Sequence, residues 1–199
     1  MEVSTVKGSP ERKNAILRCA EEEFLKKGYA QASLREICAK AEVTTGALYF
    51  YFKSKADLFD TLVRDVAIML QALLEAQLYK YLEPEHSHTT IDVELIDYLL
   101  DNRIPILLLG TKAKGTKYEG YMRRIEDQLV TSLQSMMENR CGRPVDRELA
   151  RIIMTMRVTA YETIISRPYT REEALDLFNN ILIYGRAGMN CLLDSLMSE

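Results

Sequence analysis

Hydrogen-bond donors cluster between residues 44 and 55. The threonines Thr44 and Thr45 are followed by Tyr49, Tyr51 and Lys55. Hydroxyl groups and an ammonium group donate to phosphate oxygens, and the backbone N–H groups at a helix start do the same. This set of side chains is therefore suited to binding a phosphodiester backbone.

Evidence for catalytic or metal chemistry is weak elsewhere in the chain. Both histidines, His86 and His88, lie among carboxylates in the segment Glu83–His88. That composition can bind zinc or nickel, but the spacing matches no firm structural site. The sequence contains no glycine-rich phosphate loop, nucleophile elbow or His-Glu-x-x-His helix. We expect no enzymatic activity, no cofactor and no metal, and the question of metal binding by the two histidines stays open.

The charge of the chain excludes one class of nucleic-acid-binding protein. The 199 residues carry a net charge of −3, which does not suit a protein that coats nucleic acid through a basic surface. Residues 1–65 contain 11 Lys and Arg against 10 Asp and Glu, whereas residues 66–199 contain 15 against 19. Binding through a few placed contacts is compatible with these counts.

Targeting signals and paired cysteines are also missing from the sequence pattern. The first ten residues contain no apolar segment of a signal peptide, and no apolar run is long enough to span a bilayer. We expect a cytoplasmic protein without membrane contact. No two cysteines form a Cys-x-x-Cys pair, which favours reduced thiols. A redox role stays open for the four cysteines, which are Cys19, Cys38, Cys141 and Cys191.

Apolar periodicity predicts an all-α protein with about nine helices. The first begins at Pro10 and ends at Gly28, because proline suits a first helical turn and glycine a helix end. Ser33 and Glu36 have the spacing of a capping box and predict the start of a second helix. Thr44 or Thr45 caps a short third helix. A long fourth helix starts after Ser54, and later helices follow polar breaks and a second capping box at Thr170–Glu173.

The second and third predicted helices have the spacing of a helix-turn-helix. The turn Ala41–Val43 is about three residues long, which allows the third helix to cross the second steeply and enter a major groove. Leu48 and Phe52 are the inward anchors of this helix. The aromatic residues 49–51 cannot all point inward beside them, so at least one of these rings is expected on the surface.

At residues 10–60 the sequence resembles the TetR family of transcriptional regulators. The matching text is Phe24-x-x-x-Gly28-Tyr29, Ser33-Leu-Arg-Glu-Ile37, Ala41-x-Val43, Thr45-Gly-Ala-Leu-Tyr-Phe-Tyr-Phe-Lys-Ser-Lys55 and Asp57-Leu-Phe59. The remaining two thirds agree only in helix number and order. The resemblance implies a DNA-binding domain over residues 1–55, with a flexible arm at 1–9, and a ligand-binding and dimerisation domain over 56–199.

The resemblance also implies which residues contact DNA. Tyr51 departs from the histidine common in the family, and we expect its hydroxyl to donate to phosphate instead. The third helix has no Arg, Asn or Gln, so bidentate base contacts from it are not expected, and Arg35 or Lys7 of the arm could supply a groove contact. The predicted DNA-binding residues are Ser33, Arg35, Thr44, Thr45, Gly46, Tyr49, Tyr51 and Lys55.

The resemblance also implies that the last two helices pair with those of a second chain. Gly185 and Gly188 each cost roughly 1 kcal/mol of helix propensity, which close approach between helices would explain. Packing within one chain is the alternative. The predicted interface residues are Tyr161, Ile164, Leu177, Ile181, Tyr184, Gly185 and Gly188.

An effector pocket is predicted among the helices from the fourth to the eighth, with both of these included. Tyrosine and methionine side chains provide adaptable apolar walls with hydroxyl groups. Arg103 and Arg157 are candidates for pairing an anionic ligand. The predicted lining residues are Leu70, Leu74, Tyr98, Ile106, Tyr118, Tyr121, Met122, Ile125, Met154 and Arg157.

These observations predict a homodimeric repressor that a small apolar or aromatic effector releases from a palindromic DNA operator. The alternative is a helical protein-interaction module that does not bind DNA. The identity of the effector, the operator sequence, the regulated genes and the choice between repression and activation are not determined by the sequence.

Overall fold

The structure is a computed structural model that describes residues 9–82 and 93–198. Within these ranges the chain forms nine α-helices and no strand, which confirms the predicted fold class. Their bounds are α1 Pro10–Gln31, α2 Leu34–Lys40, α3 Thr45–Tyr51, α4 Lys55–Leu82, α5 Val93–Asp101, α6 Arg103–Leu107, α7 Tyr121–Cys141, α8 Arg147–Ser166 and α9 Arg171–Ser198.

A π-helical turn, Leu108–Lys112, directly follows α6. The histidine segment Glu83–His88 and residues 1–8 of the predicted arm lie outside the described residues. Within those residues, no helix is both long and apolar enough to cross a membrane.

The start of α1 and the break near its end both follow the prediction. Pro10 occupies the first turn, and the Ser9 hydroxyl accepts a hydrogen bond from the Arg12 N–H at 3.4 Å. Gly28 has φ 73° and ψ 161°, so the helix breaks there, as its left-handed preference predicts. The chain then resumes one more turn to Gln31.

The capping box predicted at the start of α2 does not form. The Ser33 hydroxyl makes no capping hydrogen bond, and Glu36 pairs instead with Lys27 of α1. The Ser33 N–H is satisfied by Glu23, whose Oε1 accepts it at 3.3 Å. A carboxylate from a neighbouring helix has therefore replaced the local one.

Glu23 itself is a buried charge, with 1% of its surface exposed. Burial opposes its ionisation, but hydrogen bonds from Lys27, 2.9 Å away, and from the Ser33 N–H lower the pKa of its carboxyl group. Glu23 thus joins the end of α1 to the start of α2.

The starts of α3 and α4 are capped by their own side chains. The Thr44 hydroxyl accepts from the Ala47 N–H at 3.1 Å. Ser54 accepts from the Asp57 N–H at 3.1 Å, while Asp57 accepts from the Lys53 N–H at 2.8 Å. These bonds satisfy N–H groups that have no partner within the helix.

The chain divides into two compact units, of which the first comprises residues 1–67 and 104–121. Its core contains Phe24 of α1, Leu48 of α3 and Phe59 of α4, all at most 1% exposed. The π-helical turn packs on α1 and buries Leu108 and Leu109. This unit therefore includes a second segment beyond the boundary that we predict at residue 55.

Hydrogen bonds and ion pairs around one carboxylate, Asp60, attach this second segment to α4 within the first unit. Asp60 of α4 is 9% exposed, accepts a hydrogen bond from the Tyr118 hydroxyl at 2.6 Å and lies 2.7 Å from Lys117 Nζ. Arg64 pairs with its other oxygen. Burial disfavours the charge, yet these three partners hold the pKa of Asp60 well below its usual range. Burial and the bond to Asp60 raise the pKa of Tyr118.

The second unit comprises residues 68–103 and 122–199. The capping box predicted at α9 is present, because the Glu173 Oε2 accepts from the Thr170 N–H at 2.8 Å and the Thr170 hydroxyl accepts from the Glu173 N–H at 3.2 Å. Arg103 donates to the backbone carbonyl of Ile165 at 3.0 Å and also to the Arg167 carbonyl. Its guanidinium therefore caps the end of α8, and pairing with an anionic ligand stays a prediction.

Candidate nucleic-acid interface

The turn between α2 and α3 has the geometry of a helix-turn-helix. Glu42 adopts φ 53°, a left-handed conformation that reverses the chain, and the Val43 N–H donates to the Cys38 carbonyl at 3.0 Å. Leu48 and Phe52 are 0% and 1% exposed, which confirms both as the inward anchors. One buried side chain within α3 and one directly after it thus hold this seven-residue helix, whose other residues are exposed or half-buried.

The outward face of α3 carries hydroxyl groups and aromatic rings. Thr44 and Thr45 are exposed, and Tyr49 and Phe50 are 52% and 66% exposed. Thr44 uses its oxygen as an acceptor in the cap, which leaves its proton able to donate outward. Phe50 is absent from the predicted contacts because it has no donor, although the crowding of aromatic residues indicates that a ring is exposed here.

Gly46 lies on this face, and no contact within its own unit requires a glycine there. A Cβ atom built at Gly46 meets only the Thr44 hydroxyl oxygen, at an ordinary contact distance of 3.9 Å. Glycine lowers helix stability relative to alanine. The missing side chain is therefore not required by packing within the chain, whereas a close approach from outside would require it.

The residues predicted on α2 are available at the surface. Ser33 is half-buried and its hydroxyl makes no cap, so it can donate to an external acceptor. Arg35, two residues further along, is exposed. Both precede the turn and belong to the same unit as the exposed face of α3.

Lys55 has structural partners that the sequence does not indicate. Its Nζ donates to the carbonyl oxygens of Ala30 at 3.3 Å and Ala32 at 3.1 Å, and it lies 4.6 Å from the ring centre of Tyr29. The ammonium group thus holds the end of α1 against the start of α4. A phosphate contact by Lys55 stays a prediction, and any substitution of Lys55 also disturbs the fold.

Tyr51 differs more clearly from its expected role. Its hydroxyl donates to the backbone carbonyl of Ser9 at 3.2 Å. A phenol has one proton to donate, so in this arrangement Tyr51 cannot also donate to a phosphate. Its ring lies edge-on to Phe50, with ring centres 5.2 Å apart.

The cysteines form no disulfide among the described residues. Burial raises the pKa of the Cys38 thiol, and a hydrogen bond from the Thr45 hydroxyl partly opposes that shift. Burial also raises the pKa of Cys19. A higher thiol pKa lowers reactivity at neutral pH. Cys191 is exposed, and a redox role for any of these thiols stays untested.

The residues predicted for dimerisation differ in their exposure within the second unit. Tyr161 and Ile164 are buried in its core, at 6% and 5%, whereas Tyr184 is 70% exposed and Leu177 37%. Ile181 and Gly185 are half-buried, and Gly188 is exposed.

Between α8 and α9 lies an open, mainly apolar groove of about 280 Å³. Its rim includes Met156, Tyr184 and Gly188, and its floor includes Leu133 and Met189. A Cβ atom built at Gly188 meets nothing within 4 Å, so packing within the chain does not explain this glycine. We call this surface the α8–α9 groove.

The predicted pocket residues are divided between the units. Ile106, Tyr118 and Tyr121 belong to the first unit, and the other seven belong to the second. Tyr118 donates its hydroxyl proton to Asp60, and Tyr121 donates to the Ala67 carbonyl. Three of the ten residues line a small cavity in the second unit, and these are Leu74, Met154 and Arg157.

That cavity measures about 20 Å³ and contains a buried polar group without a partner. The side chain of Gln77 is 3% exposed, and among the described residues its Nε2 atom has no hydrogen-bond acceptor. The Tyr161 hydroxyl, also at the wall, accepts a hydrogen bond from Arg157 Nε at 3.3 Å. Elsewhere in residues 9–82 and 93–198, no group of three or more His, Cys, Asp or Glu side chains is arranged to hold a metal ion.

Comparison with family models places residues 16–62 in a known group. They match the model described as bacterial regulatory proteins, tetR family. The matched segment runs from α1 into α4 and therefore includes the whole helix-turn-helix.

Curated proteins show similarity over a longer segment. The chain is 36% identical over 120 residues to the HTH-type transcriptional repressor BepR of Brucella suis, covering 60% of this chain and 57% of BepR. It is 32% identical over 100 residues to the transposon Tn10 TetC protein of Escherichia coli, covering 46% and 48%. The chain thus spans about half the length of the curated relatives that it matches.

A solved structure shows that the fold extends through both units. A TetR-like transcriptional regulator from Rhodococcus sp. RHA1 matches 91% of this chain and 98% of its own, with a TM-score of 0.54 and 20% identity. At this identity the similarity concerns the fold.

Proposed function

Because this chain belongs to the TetR family of bacterial regulatory proteins, we propose that it is a ligand-responsive transcriptional repressor that binds DNA as a homodimer. The observation that carries this proposal is the exposed face of α3. Its exposed Tyr49 and Phe50 side chains and the missing side chain of Gly46 are not required by the packing of the first unit. A DNA duplex supplies both the phosphate acceptors and the close surface that these features fit.

In the proposed complex, α3 enters the major groove and the hydroxyl groups of Ser33 and Tyr49 donate to phosphates on either side. Arg35 adds the cation that α3 lacks. Lys55 acts first by holding α1 to α4, through its bonds to two backbone carbonyls. A protein that acts on chromosomal DNA in this way functions in the cytoplasm.

We assign the α8–α9 groove to a second copy of this chain. The groove is apolar and open, and the side chains around it include Met156 and Tyr184, which are 57% and 70% exposed. A large exposed apolar patch on a protein of this size marks an interaction site. Gly188 leaves room for a partner helix to approach closely, and a two-fold dimer presents two α3 helices to a palindromic operator.

The effector site is proposed beside Gln77. An unpaired buried amide donor costs about 1–3 kcal/mol of stability, which an acceptor atom on a bound molecule would recover. Leu74 and Met154 make the surrounding wall apolar. The cavity of about 20 Å³ has room for about one water-sized group, so the oxygen acceptor of an effector would bind at Gln77, while its apolar or aromatic remainder would require the cavity to widen. Gln77 is then a contact that the sequence prediction omits.

Removal of two hydroxyl groups tests the DNA-binding proposal. The Ser33→Ala, Tyr49→Phe double variant deletes two donors that make no capping bond in α2 or α3, so the fold is retained. Each lost bond to a charged phosphate costs about 1.5 kcal/mol or more, so affinity falls at least about 100-fold for all DNA sequences. Fluorescence anisotropy with labelled DNA selected from a random pool measures it.

The matched control is Tyr169→Phe, which removes a hydroxyl from a half-buried tyrosine of the second unit outside the α8–α9 groove and leaves DNA affinity unchanged. Because the deleted groups are neutral, the salt dependence of binding keeps its slope. Equal affinity of the double variant and the wild type would contradict the proposal. Failure of the wild type to bind any DNA at low salt, together with capture of a protein partner, would favour the alternative of a protein-interaction module.

A further inference from the structure

Phe50 is an exposed aromatic ring in the middle of the proposed DNA-binding face. It lies on α3, and 66% of its surface is accessible to solvent. The side chain has no donor or acceptor, so it adds nothing to phosphate binding. Exposing an apolar ring to water carries a cost that burial against an apolar group would recover.

The ring of Phe50 is held in place by neighbouring groups. It packs edge-on against the ring of Tyr51, with centres 5.2 Å apart and an interplanar angle of 88°. Tyr51 in turn donates its hydroxyl proton to the Ser9 carbonyl at 3.2 Å. Ser9 caps α1, so the chain of contacts anchors Phe50 to the start of the first helix.

The remaining residues of α3 limit what it can read in a major groove. Residues Thr45–Tyr51 include no Arg, Lys, Asn, Gln, Asp or Glu, so bidentate hydrogen bonding to base edges is not available. Among the groups that base pairs present in the major groove, the C5-methyl of thymine is the apolar one. An exposed ring at this position is matched by that methyl group.

We propose that Phe50 determines operator specificity by packing on a thymine methyl group in each half-site, and that Tyr51 positions its ring. The inference rests on the proposed DNA-binding function and extends it from phosphate contacts to base readout. It gives Tyr51, which is tyrosine where the family often has histidine, a positioning role in place of the phosphate contact expected from the sequence.

Deoxyuridine substitution isolates the methyl group. Operator fragments are selected from a random DNA pool with the full-length protein, and each thymidine is then replaced in turn by deoxyuridine, which lacks only the C5-methyl. At one position in each half-site we expect about four-fold weaker binding, the change equivalent to one buried methyl group at roughly 0.8 kcal/mol. Replacement in both half-sites multiplies the two effects to about fifteen-fold.

Variants of the protein identify which residue makes the contact. Phe50→Ala should bind the thymidine and deoxyuridine operators equally, since the ring is gone. Tyr49→Phe should weaken binding to both operators but keep the four-fold ratio. Because Phe50 is exposed, its truncation does not remove core packing, and a circular dichroism spectrum checks that the variant is folded.

Tyr51→Phe tests the positioning role, since it keeps the ring and removes only the bond to Ser9. The thymidine-to-deoxyuridine ratio should fall below about two-fold, an effect that a merely structural role would not produce. An unchanged ratio in Tyr51→Phe overturns that role. Wild-type binding that is insensitive to every deoxyuridine overturns the readout by Phe50, whereas absence of any DNA binding overturns the proposed function itself.

Discussion

The face of α3 and the α8–α9 groove are both exposed surfaces that the folding of their own units does not explain, yet their chemistry differs. The α3 face presents hydroxyl groups and two rings, whereas the groove is lined mainly by apolar side chains. Each includes a glycine, Gly46 or Gly188, at which a side chain would meet no obstacle within the chain.

The two glycines differ in the chemistry of the residues around them. A glycine that its own fold does not need indicates close approach by another molecule, and the residues around it indicate what that molecule is. Polar donors around Gly46 fit a polyanion, while apolar side chains around Gly188 fit another apolar surface. Each inference can be broken separately, because the two surfaces belong to different compact units.

Among single substitutions, the largest expected effect is on dimerisation. Tyr184→Asp places a charge on the most exposed large apolar residue of α9 and should weaken the dimer about 30-fold or more, since interface tyrosines contribute 2 kcal/mol or more. Analytical ultracentrifugation measures the change. Met197→Asp, at a 48% exposed position of the same helix outside the groove, is the control. Equal weakening by both variants would remove the groove from the interface.

Glu23→Gln should lower the free energy of unfolding by about 2 kcal/mol at pH 7, because it breaks charged hydrogen bonds of a buried side chain. The lowered pKa of Glu23 means that its stabilisation is complete above the pKa of the unfolded chain, about 4.3, and is lost as the pH falls through the folded value. Urea denaturation at pH 7 and at lower pH should therefore show a shrinking difference between variant and wild type.

The control for that measurement is Glu36→Gln, which removes an exposed carboxylate that also pairs with Lys27. Glu36→Gln should lower the free energy of unfolding by less than about 0.5 kcal/mol. A larger effect of Glu36 than of Glu23 would show that the local capping residue, not the buried one, secures the start of α2.

Gly46→Ala should separate stability from DNA binding. The added methyl group has room in the unbound protein and improves helix propensity, so the melting temperature should stay equal or rise slightly. In the complex the same methyl group would clash with DNA. A loss of about 1.4 kcal/mol in binding free energy corresponds to about ten-fold weaker affinity. Unchanged affinity in an anisotropy titration would mean that the duplex does not approach Gly46 closely, and the similarity between the two glycines would fail.

The smallest effect is expected at Gln77. Gln77→Met replaces an unpaired buried amide with an apolar group of similar size, so the unbound protein should gain about 1 kcal/mol in the free energy of unfolding. The same variant should lose effector binding, because the donor is gone. Thermal denaturation measures the first effect. A destabilised variant would indicate that the Gln77 amide already has a partner.

Patterns that depend on neighbours in sequence were predicted well. The cap Thr44, the break at Gly28 and the buried anchors Leu48 and Phe52 follow from residue type and spacing. A cap bonds to N–H groups only two or three residues away, and an anchor follows helical periodicity, so local sequence contains the information.

Contacts between distant residues could not be obtained in this way. The boundary predicted at residue 55 separates functions, whereas the compact units follow the packing of residues 104–121 with α1 and α4. The link depends on Asp60 and Tyr118, which are 58 residues apart, and on the burial of Leu108. No periodicity relates such positions, because only the folded chain brings them together.

The two capping boxes have the same sequence pattern, but only one of them forms. The residue pattern alone predicted about nine helices, a helix-turn-helix with an outward aromatic ring, and a resemblance to the TetR family over residues 10–60. Thr170 and Glu173 bond reciprocally, while Ser33 and Glu36 have the same pattern but do not. The reason is that Glu23 and Lys27 of α1 compete for the same donor and acceptor, and competition of this kind arises only once helices pack.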